Sequence, residues 1–217
     1  AGRTRYSSLS SLPESEVAVM VKIIGITGGI ASGKSTVTEF LRQPGYQVID
    51  ADQVVHELQE PGERLYQALL STFGSAILQE DGRLDRPKLG AMIFGNPELL
   101  AQSSQLQNEI IREELARRRD LLAETEDIFF MDLPLLFELG YDNWFDQIWL
   151  VDVTEETQLS RLMNRNALNQ EEAEKRIAAQ LSLQEKRKRA DVLIENNGGL
   201  EETRQQLLDA LQKLERR

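Results

Sequence analysis

Cysteine is absent from the 217-residue sequence, and histidine occurs only once, as His56. The absence of cysteine excludes disulfides, thiolate metal sites and a cysteine nucleophile, and it suits a reducing compartment. No apolar run approaches the roughly 18 residues that a membrane span requires. We therefore expect a cytoplasmic globular protein that has no membrane partner and no thiol chemistry.

The sequence also lacks the excess of positive charge that nucleic-acid-binding proteins carry. Its formal net charge is −11, so the molecule as a whole repels polyanions, which argues against a nucleic-acid partner. A nucleotide site is not excluded, because a phosphate site needs only local backbone amides and a few cations. Small molecules are therefore the expected partners, and we expect a monomer or a weak oligomer.

Residues 28–35, GGIASGKS, match the phosphate-binding pattern G-x-x-x-x-G-K-[ST], between an apolar strand pattern and an amphipathic helix pattern. Glycines let the backbone wrap around phosphate oxygens, and the helix N-terminus adds positive charge there. Lys34 would bridge the β- and γ-phosphates, Ser35 would hold Mg²⁺ with the phosphates, and Thr36 would contact a phosphate. A glycine-rich turn that binds nothing explains neither Lys34 nor the flanking patterns. No Asn-Lys-x-Asp motif of a GTPase follows, so we predict an ATP site formed by Gly29, Ile30, Ala31, Ser32, Gly33, Lys34, Ser35 and Thr36.

Short apolar segments alternate with helical patterns, which indicates a parallel sheet with crossover helices. Together with the phosphate-binding motif, this pattern predicts a three-layer α/β P-loop NTPase fold with a five-stranded parallel sheet flanked by helices. The predicted strands are 21–27, 46–50, 127–132, 147–152 and 191–195. After the fourth strand, helices are predicted at 155–166 and 170–189.

Residues 20–217 are expected to form one kinase-like domain whose core comprises residues 20–52 and 126–217. Residues 53–125 contain no convincing strand and far exceed the roughly dozen residues that a crossover needs. We therefore predict a helical insertion that binds the acceptor of the phosphoryl group. Residues 1–19 contain five serines and lack the apolar segment of a secretory signal. We expect them to be a tag remnant or a non-native extension.

The second predicted strand ends in two aspartates, Asp50 and Asp52. Residues at the C-terminal ends of parallel strands face the crevice where ligands bind, so a carboxylate there could accept a hydroxyl proton or help to hold Mg²⁺ through water. A carboxylate could instead cap the helix that follows. The residues alone leave the choice open, and we expect one aspartate to cap and the other to act in catalysis.

Five segments of the sequence resemble the dephospho-CoA kinase family. In chain order they are ITGGIASGKSTV, VIDADQVVHELQEPG, DGRLDRPKLGAMIF, DLPLLFELG and ADVLIENNGG, and they extend from about residue 21 to residue 199. The second and third segments are far more particular to that family than the phosphate-binding motif. The resemblance implies ATP- and Mg²⁺-dependent phosphorylation of the ribose 3′-hydroxyl of dephospho-CoA, the last step of coenzyme A synthesis.

The resemblance also implies roles for particular residues around the nucleotide. Asp52 corresponds to the family's catalytic base and is therefore preferred to Asp50. Arg165, with Arg161 as the weaker candidate, lies in a pattern that resembles the family's lid helix, so residues 155–189 would form a helical lid over the ATP phosphates. Lys34, Asp52 and Arg165 are thus the expected catalytic residues.

Other positions follow from the same resemblance. Asn197, with Asn196 and Gly198 on either side of it after the last predicted strand, would lie near the ATP adenine. The expected acceptor contacts are Asp52, Asp85, Arg86, Leu135 and Glu138. His56 is expected to be structural, because the mechanism already has a base.

Two basic runs and two other functions remain as alternatives. Residues 117–119 are expected to form a solvated helix face, whereas residues 186–189 could contact the nucleotide. A kinase for another small acceptor, such as a nucleoside monophosphate or shikimate, would carry the same phosphate-binding motif. A nucleotide-dependent switch without catalysis would also carry it, but the sequence offers no exposed apolar signature for a partner.

Overall fold

The structure, a computed structural model, describes residues 20–216, so the expectation for residues 1–19 lies outside the described residues. Its strands are β1 Lys22–Gly28, β2 Val48–Asp50, β3 Ile128–Asp132, β4 Gln147–Asp152 and β5 Val192–Glu195. They form one parallel sheet in the order β2-β3-β1-β4-β5. All the predicted strands are confirmed, each within two residues at either end.

The helices are α1 Lys34–Arg42, α2 Ala51–Leu58, α3 Arg64–Phe73, α4 Arg86–Ile93, α5 Pro97–Ala123, α6 Glu155–Asn166, α7 Gln170–Ala178, α8 Leu183–Arg189 and α9 Leu200–Glu215. One face of the sheet packs on α1 and α9 in a core that includes Ile24 and Phe130. The other face packs on the α2–α5 region in a core that includes Phe129 and Met131. Neighbouring strand residues point to opposite faces, so Phe129 and Phe130 enter different layers. The predicted three-layer α/β fold is confirmed.

Helices α2 to α5 form the segment between β2 and β3. Within the described residues this segment contains no strand, only an isolated bridge between Leu78 and Leu84. Leu65 and Leu69 of α3 are fully buried in the same core as Phe129. Because the core is shared, truncating either leucine to alanine would cost about 2–5 kcal/mol. Val54 and Leu58 of α2 are buried in the same core, which holds α2 against the sheet at the carboxyl end of β2.

The segment after β4 differs from the prediction in one respect. Helix α6 has the predicted ends, but the single helix expected at 170–189 is wrong, because the chain leaves the helical conformation between α7 and α8. The Ser182 hydroxyl accepts the backbone N–H of Glu185 at 3.2 Å and starts α8 as an N-cap. Within residues 20–216, no helix has both the length and the apolar character needed to cross a membrane.

Candidate active site

The loop between β1 and α1 has the geometry that the phosphate-binding motif predicts. Gly33 has φ 83°, and a Cβ atom there would lie 2.3 Å from Asn196 Nδ2. A Cβ atom on Gly29 would lie 2.5 Å from Gln158 Nε2. Glycine is favoured at Gly33 by its positive φ, and at both positions a side chain would displace an amide group that lies against the backbone. Ala31 also adopts positive φ, at 60°, which tightens the loop further.

The N-terminus of α1 presents its positive end to this loop. In the described structure no side chain caps this helix, and no acidic residue lies in its first turn. The partial positive charge of a helix N-terminus favours anions and is a common phosphate site. Lys34 begins the helix and adds a full positive charge at the same point. The loop and α1 together can therefore bind a polyphosphate.

Lys34 forms an ion pair with Asp132, at the end of β3. Asp132 is 4% exposed, and burial raises the pKa of its carboxyl. The positive charge of Lys34 opposes this rise, and the nearby carboxylates of Asp50 and Asp52 add to it. From the sequence, Asp132 ends the third predicted strand in the position of a Walker-B aspartate, but it has no firm predicted role, because an aspartate at a strand end does not reveal its partner. The structure identifies it as the group that holds the Lys34 ammonium.

The two aspartates after β2 have different environments. The Asp50 carboxylate accepts the backbone N–H groups of Asp52 at 2.9 Å and Gln53 at 3.2 Å, so it caps α2. Asp52 lies in the first turn of α2 and lines a cleft with the phosphate-binding loop, Pro134 and Arg165. The geometry thus makes Asp50 the capping residue. It leaves Asp52 as the carboxylate at the cleft.

Arg165 and Arg161 lie one turn apart on α6. Arg165 lines the cleft that contains Asp52 and also a neighbouring cleft that contains Thr36, Arg161 and Leu200. The Arg161 guanidinium donates to the Asn196 carbonyl at 2.7 Å. The structure therefore brings Lys34, Asp52 and Arg165, the expected catalytic set, to the border of one cleft.

The two asparagines after β5 also differ in position. Asn196 is buried, donates through Nδ2 to the Ser32 carbonyl at 2.8 Å and accepts from the Thr203 hydroxyl at 2.8 Å. Asn197 instead accepts the backbone N–H of Thr154 at 2.8 Å, at the start of α6. Asn196 therefore contacts the phosphate-binding loop and lines the neighbouring cleft, whereas the expected position of Asn197 near the ATP adenine stays a prediction. Two adjacent asparagines offer no sequence signal that distinguishes them.

An apolar cleft adjoins the cleft of the phosphate-binding loop at Asp52. Leu135 lines it, as do Val55, Ile111 and Tyr141. Asp52, Pro134 and Gln180 line both this cleft and the cleft of the phosphate-binding loop. Of the expected acceptor contacts, the structure thus brings Leu135 together with Asp52.

The remaining expected acceptor contacts lie elsewhere. The Asp85 carboxylate caps α4 by accepting the Lys88 N–H at 3.1 Å. Arg86 donates to Gln59 at 3.1 Å and contacts the His56 ring, in a separate cleft of the insertion. Glu138 forms an ion pair with the buried Lys186. The acceptor roles of Asp85, Arg86 and Glu138 therefore stay predictions.

The first basic run is not the uniformly solvated face that the sequence suggested. Arg118 bonds Glu114 of its own helix at 2.9 Å and Glu57 of α2 at 2.6 Å. Arg117 bonds the same Glu114, whose pKa falls to about 2 because both guanidiniums donate to its carboxylate. Arg119 lies over the Trp144 ring, 4.4 Å from its centroid. These side chains tie α5 to its neighbours.

The side chains around the phosphate-binding loop also suit a hard cation. Ser35 lines both the cleft of this loop and the neighbouring cleft, and Asp52 lines the first of them. Hydroxyl and carboxylate oxygens, with phosphates and water, are the ligands that Mg²⁺ prefers. In residues 20–216, no group of three acidic or histidine side chains converges to bind a metal by itself. A metal bound here would therefore rely on phosphate oxygens as well as on Ser35.

Comparison with known proteins identifies one family that matches this chain. The family model for dephospho-CoA kinase matches residues 22–202. A dephospho-CoA kinase of Streptococcus mutans is 61% identical over 196 residues, which cover 90% of this chain and 99% of the relative. One from Streptococcus agalactiae is 59% identical over 195 residues, which cover 90% and 100%.

Solved structures give the same result. A Thermus thermophilus protein matches with a TM-score of 0.76 at 35% identity, covering 89% of this chain and 97% of that one. A dephospho-CoA kinase from Campylobacter jejuni matches with a TM-score of 0.71 at 28% identity, covering 90% and 98%. A Bacteroides thetaiotaomicron shikimate kinase shares only the fold, with a TM-score of 0.52 at 15% identity and coverage of 89% and 98%. Since the family model spans most of the chain and the streptococcal relatives cover nine-tenths of it, the chain belongs to the dephospho-CoA kinase family.

Proposed function

We propose that this protein transfers the γ-phosphoryl group of ATP to the ribose 3′-hydroxyl of dephospho-CoA and releases coenzyme A and ADP. The observation that carries the proposal is the position of Asp52, which lines both the cleft of the phosphate-binding loop and the apolar cleft beside it. A base for an acceptor hydroxyl must reach both substrates. A carboxylate shared by two adjoining clefts satisfies that requirement.

The residues divide the reaction between them. Backbone amides of the phosphate-binding loop that are not bonded within the protein, together with the N-terminus of α1, hold the phosphates. Lys34 exchanges its contact with Asp132 for the β- and γ-phosphates when ATP binds. Ser35 would hold Mg²⁺ together with the phosphates, and the ion would neutralise phosphate charge when bound. The nucleotide is thereby oriented for in-line transfer.

Transfer forms a bond between the 3′-oxygen and the γ-phosphorus and breaks the bond from that phosphorus to the bridging oxygen of ADP. Asp52 accepts the hydroxyl proton as the bond forms. Arg165, on α6, balances the negative charge that develops on the transferred group. Arg161 and Asn196, which line the neighbouring cleft with Arg165, bind the nucleotide there, and Asn197 is the expected contact near its adenine. Positioning and charge neutralisation supply most of the rate.

The acceptor is expected to lie in the apolar cleft with Leu135 beside its apolar portion. Arg86 and Asp85 of the insertion then remain candidates for more distant contacts. A single chain supplies the residues of both clefts, so no partner subunit is needed to complete the site. We therefore propose a monomer or weak oligomer that works on these small molecules in the cytoplasm, where ATP is available.

An acceptor panel tests the proposal. Purified protein is given ATP and Mg²⁺ with dephospho-CoA, shikimate or a nucleoside monophosphate, and both ADP release and the phosphorylated acceptor are measured. We expect turnover with dephospho-CoA alone, and product with its new phosphate on the ribose 3′-oxygen. Lys34→Ala is the matched control for contaminating kinases. Indifference to dephospho-CoA, with turnover of another acceptor, would overturn the assignment.

A further inference from the structure

A buried lysine lies behind the phosphate-binding loop and has no part in the mechanism above. Lys186 of α8 has no exposed surface. Its ammonium donates to the Gly28 carbonyl at 3.3 Å and pairs with Glu138 at 3.3 Å. The Glu138 carboxylate also accepts the backbone N–H of Leu181 at 3.2 Å. The pair of Lys186 and Glu138 therefore connects the end of β1, the loop after β3, the residues before α8 and α8 itself.

A buried ion pair is a poor device for stability alone. Burial lowers the pKa of Lys186, and the nearby positive charge of Lys34 lowers it further. The carboxylate of Glu138 raises the pKa and so opposes both effects. Apolar residues of similar volume commonly replace such pairs without loss of stability. An apolar residue could not, however, donate a hydrogen bond to the Gly28 carbonyl. The distinctive contribution of Lys186 is therefore this contact with the loop.

The contact orients a peptide group at the start of the phosphate-binding loop. A trans peptide is planar, so a fixed Gly28 carbonyl also fixes the direction of the Gly29 N–H. The next peptide is held through the Ile30 N–H, which donates to Gln180 at 3.0 Å. The one after it is held through the Ile30 carbonyl, which accepts from Gln158 at 2.9 Å. Three consecutive peptide groups are thus oriented by side chains from the segment of α6 to α8.

We propose that Lys186, Gln158 and Gln180 are positioning residues that set the peptide orientations of the phosphate-binding loop, and that Glu138 acts through Lys186. The proposal rests on ATP binding at this loop, which belongs to the proposed function. It changes the expected role of Glu138 from an acceptor contact to the counter-ion of a buried lysine. The segment of α6 to α8 then belongs to the nucleotide site in two ways. Its side chains contact the backbone of the phosphate-binding loop, and Arg161 and Arg165 line the clefts beside that loop.

The test separates positioning from stability. Lys186→Met leaves the Glu138 charge unpaired and is expected to lower the thermal midpoint. Lys186→Met combined with Glu138→Gln removes that charge and is expected to recover most of the midpoint. ATP affinity is measured by calorimetry with no acceptor present, so a wrong acceptor assignment would not affect the result. We expect the double variant to bind ATP roughly tenfold more weakly, because a charged hydrogen bond to the loop is lost.

Kinetics give an independent readout. The KM for ATP should rise in the double variant, whereas the KM for dephospho-CoA should stay within about twofold of the original value, because no acceptor contact is removed. Lys188→Met is the matched control: it removes an exposed lysine of the same helix whose only ion pair within residues 20–216 is with Glu185. We expect it to leave ATP affinity and both KM values unchanged.

Two results would overturn the proposal. One is ordinary ATP affinity in a double variant that has recovered its thermal midpoint. The other is a Glu138→Gln variant whose acceptor KM rises while its ATP affinity is unchanged, since that would make Glu138 an acceptor contact. If the Lys186 variants do not fold, Gln158→Leu decides instead, because it removes no buried charge and leaves the Ile30 carbonyl without its donor. Ordinary ATP affinity in that variant would refute the positioning role.

Discussion

The Asp50 carboxylate accepts the backbone N–H of Asp52 at 2.9 Å, so the first aspartate holds the helix turn on which the second one lies. Two residues of the same type and almost the same position in sequence thereby receive different functions. Asp50 uses its oxygens within α2, whereas the Asp52 side chain lines the cleft. The arrangement makes the two positions a matched pair for mutagenesis.

Asp52→Asn should abolish most of the activity without affecting the fold. The amide cannot accept the proton of the acceptor hydroxyl, so we expect kcat to fall about 10²- to 10⁴-fold. The thermal midpoint should change little, because among the described residues the Asp52 side chain makes no capping hydrogen bond, and only its charge near the N-terminus of α2 is lost. Steady-state kinetics and a thermal melt on the same preparation measure both. Near-normal turnover in this variant would remove Asp52 from the role of base.

Asp50→Ala should have the opposite effect. Loss of a carboxylate N-cap costs roughly 0.5–2 kcal/mol of stability, so the urea midpoint should fall. The kcat should change much less than in Asp52→Asn, since the remaining aspartate can still accept the proton. A stable Asp50→Ala variant that has lost its turnover would show that the assignments of the two residues are reversed.

The arginines of α6 should separate in kinetic effect. Arg165→Ala should lower kcat about 10²- to 10³-fold, because charge that develops on the transferred phosphoryl group loses its counter-charge. Arg161→Ala removes the donor to the Asn196 carbonyl and should mainly raise the KM for ATP a few-fold. Initial rates over a matrix of ATP and acceptor concentrations measure both parameters. A larger loss of kcat in Arg161→Ala would reverse the two roles.

Local patterns were sufficient for much of this fold. The strands were predictable because each is a short apolar run, although only β1, β3 and β4 are largely buried and the edge strands β2 and β5 are partly exposed. The phosphate-binding loop was predictable because its glycines and Lys34 stand at fixed spacing. The break between α7 and α8 was missed although Ser182 and Glu185 have the spacing of a helix cap. Residues 177–184, IAAQLSLQ, contain neither glycine nor proline, so the sequence suited a continuous helix equally well.

The contacts that refine the site join residues far apart in sequence. Lys186 meets Gly28 across 158 positions, and Lys34 meets Asp132 across 98. No periodicity connects such pairs, so a basic run at the end of a helix gave no sign that its first member is buried. The same holds for Asn196, because only the approach of β5 to the loop distinguishes it from its neighbour. Long-range packing, rather than local preference, determines these roles.

The link between α5 and α2 should depend on pH. The Glu114 pKa is lowered to about 2 because Arg117 and Arg118 donate to its carboxylate. A lowered carboxyl pKa contributes stability above the unfolded pKa, and the contribution is lost as pH falls toward the folded value. Glu114→Gln should therefore cost roughly 1–2 kcal/mol at neutral pH, allowing for solvent screening, and progressively less below pH about 4.

Urea unfolding at pH about 7 and about 3 measures the change. Glu113→Gln is the matched control, because its pair with Arg64 is exposed on both sides and should contribute less than about 0.5 kcal/mol. An equal effect of Glu114→Gln at both pH values would mean that the carboxylate charge contributes nothing to this link.

Lys34→Met should make stability depend on pH through Asp132. Burial already raises the pKa of this carboxyl, and loss of the lysine removes the charge that opposes the rise. A carboxyl whose folded pKa lies above its unfolded value favours folding at low pH, and that contribution is lost as pH rises through the folded pKa. The variant should therefore match the original protein near pH about 4 and become roughly 2–4 kcal/mol less stable by pH about 8. Adding Asp132→Asn to the variant should remove this pH dependence, because an amide does not titrate, whereas parallel stability curves for the single variant and the original protein would show that Lys34 does not neutralise Asp132.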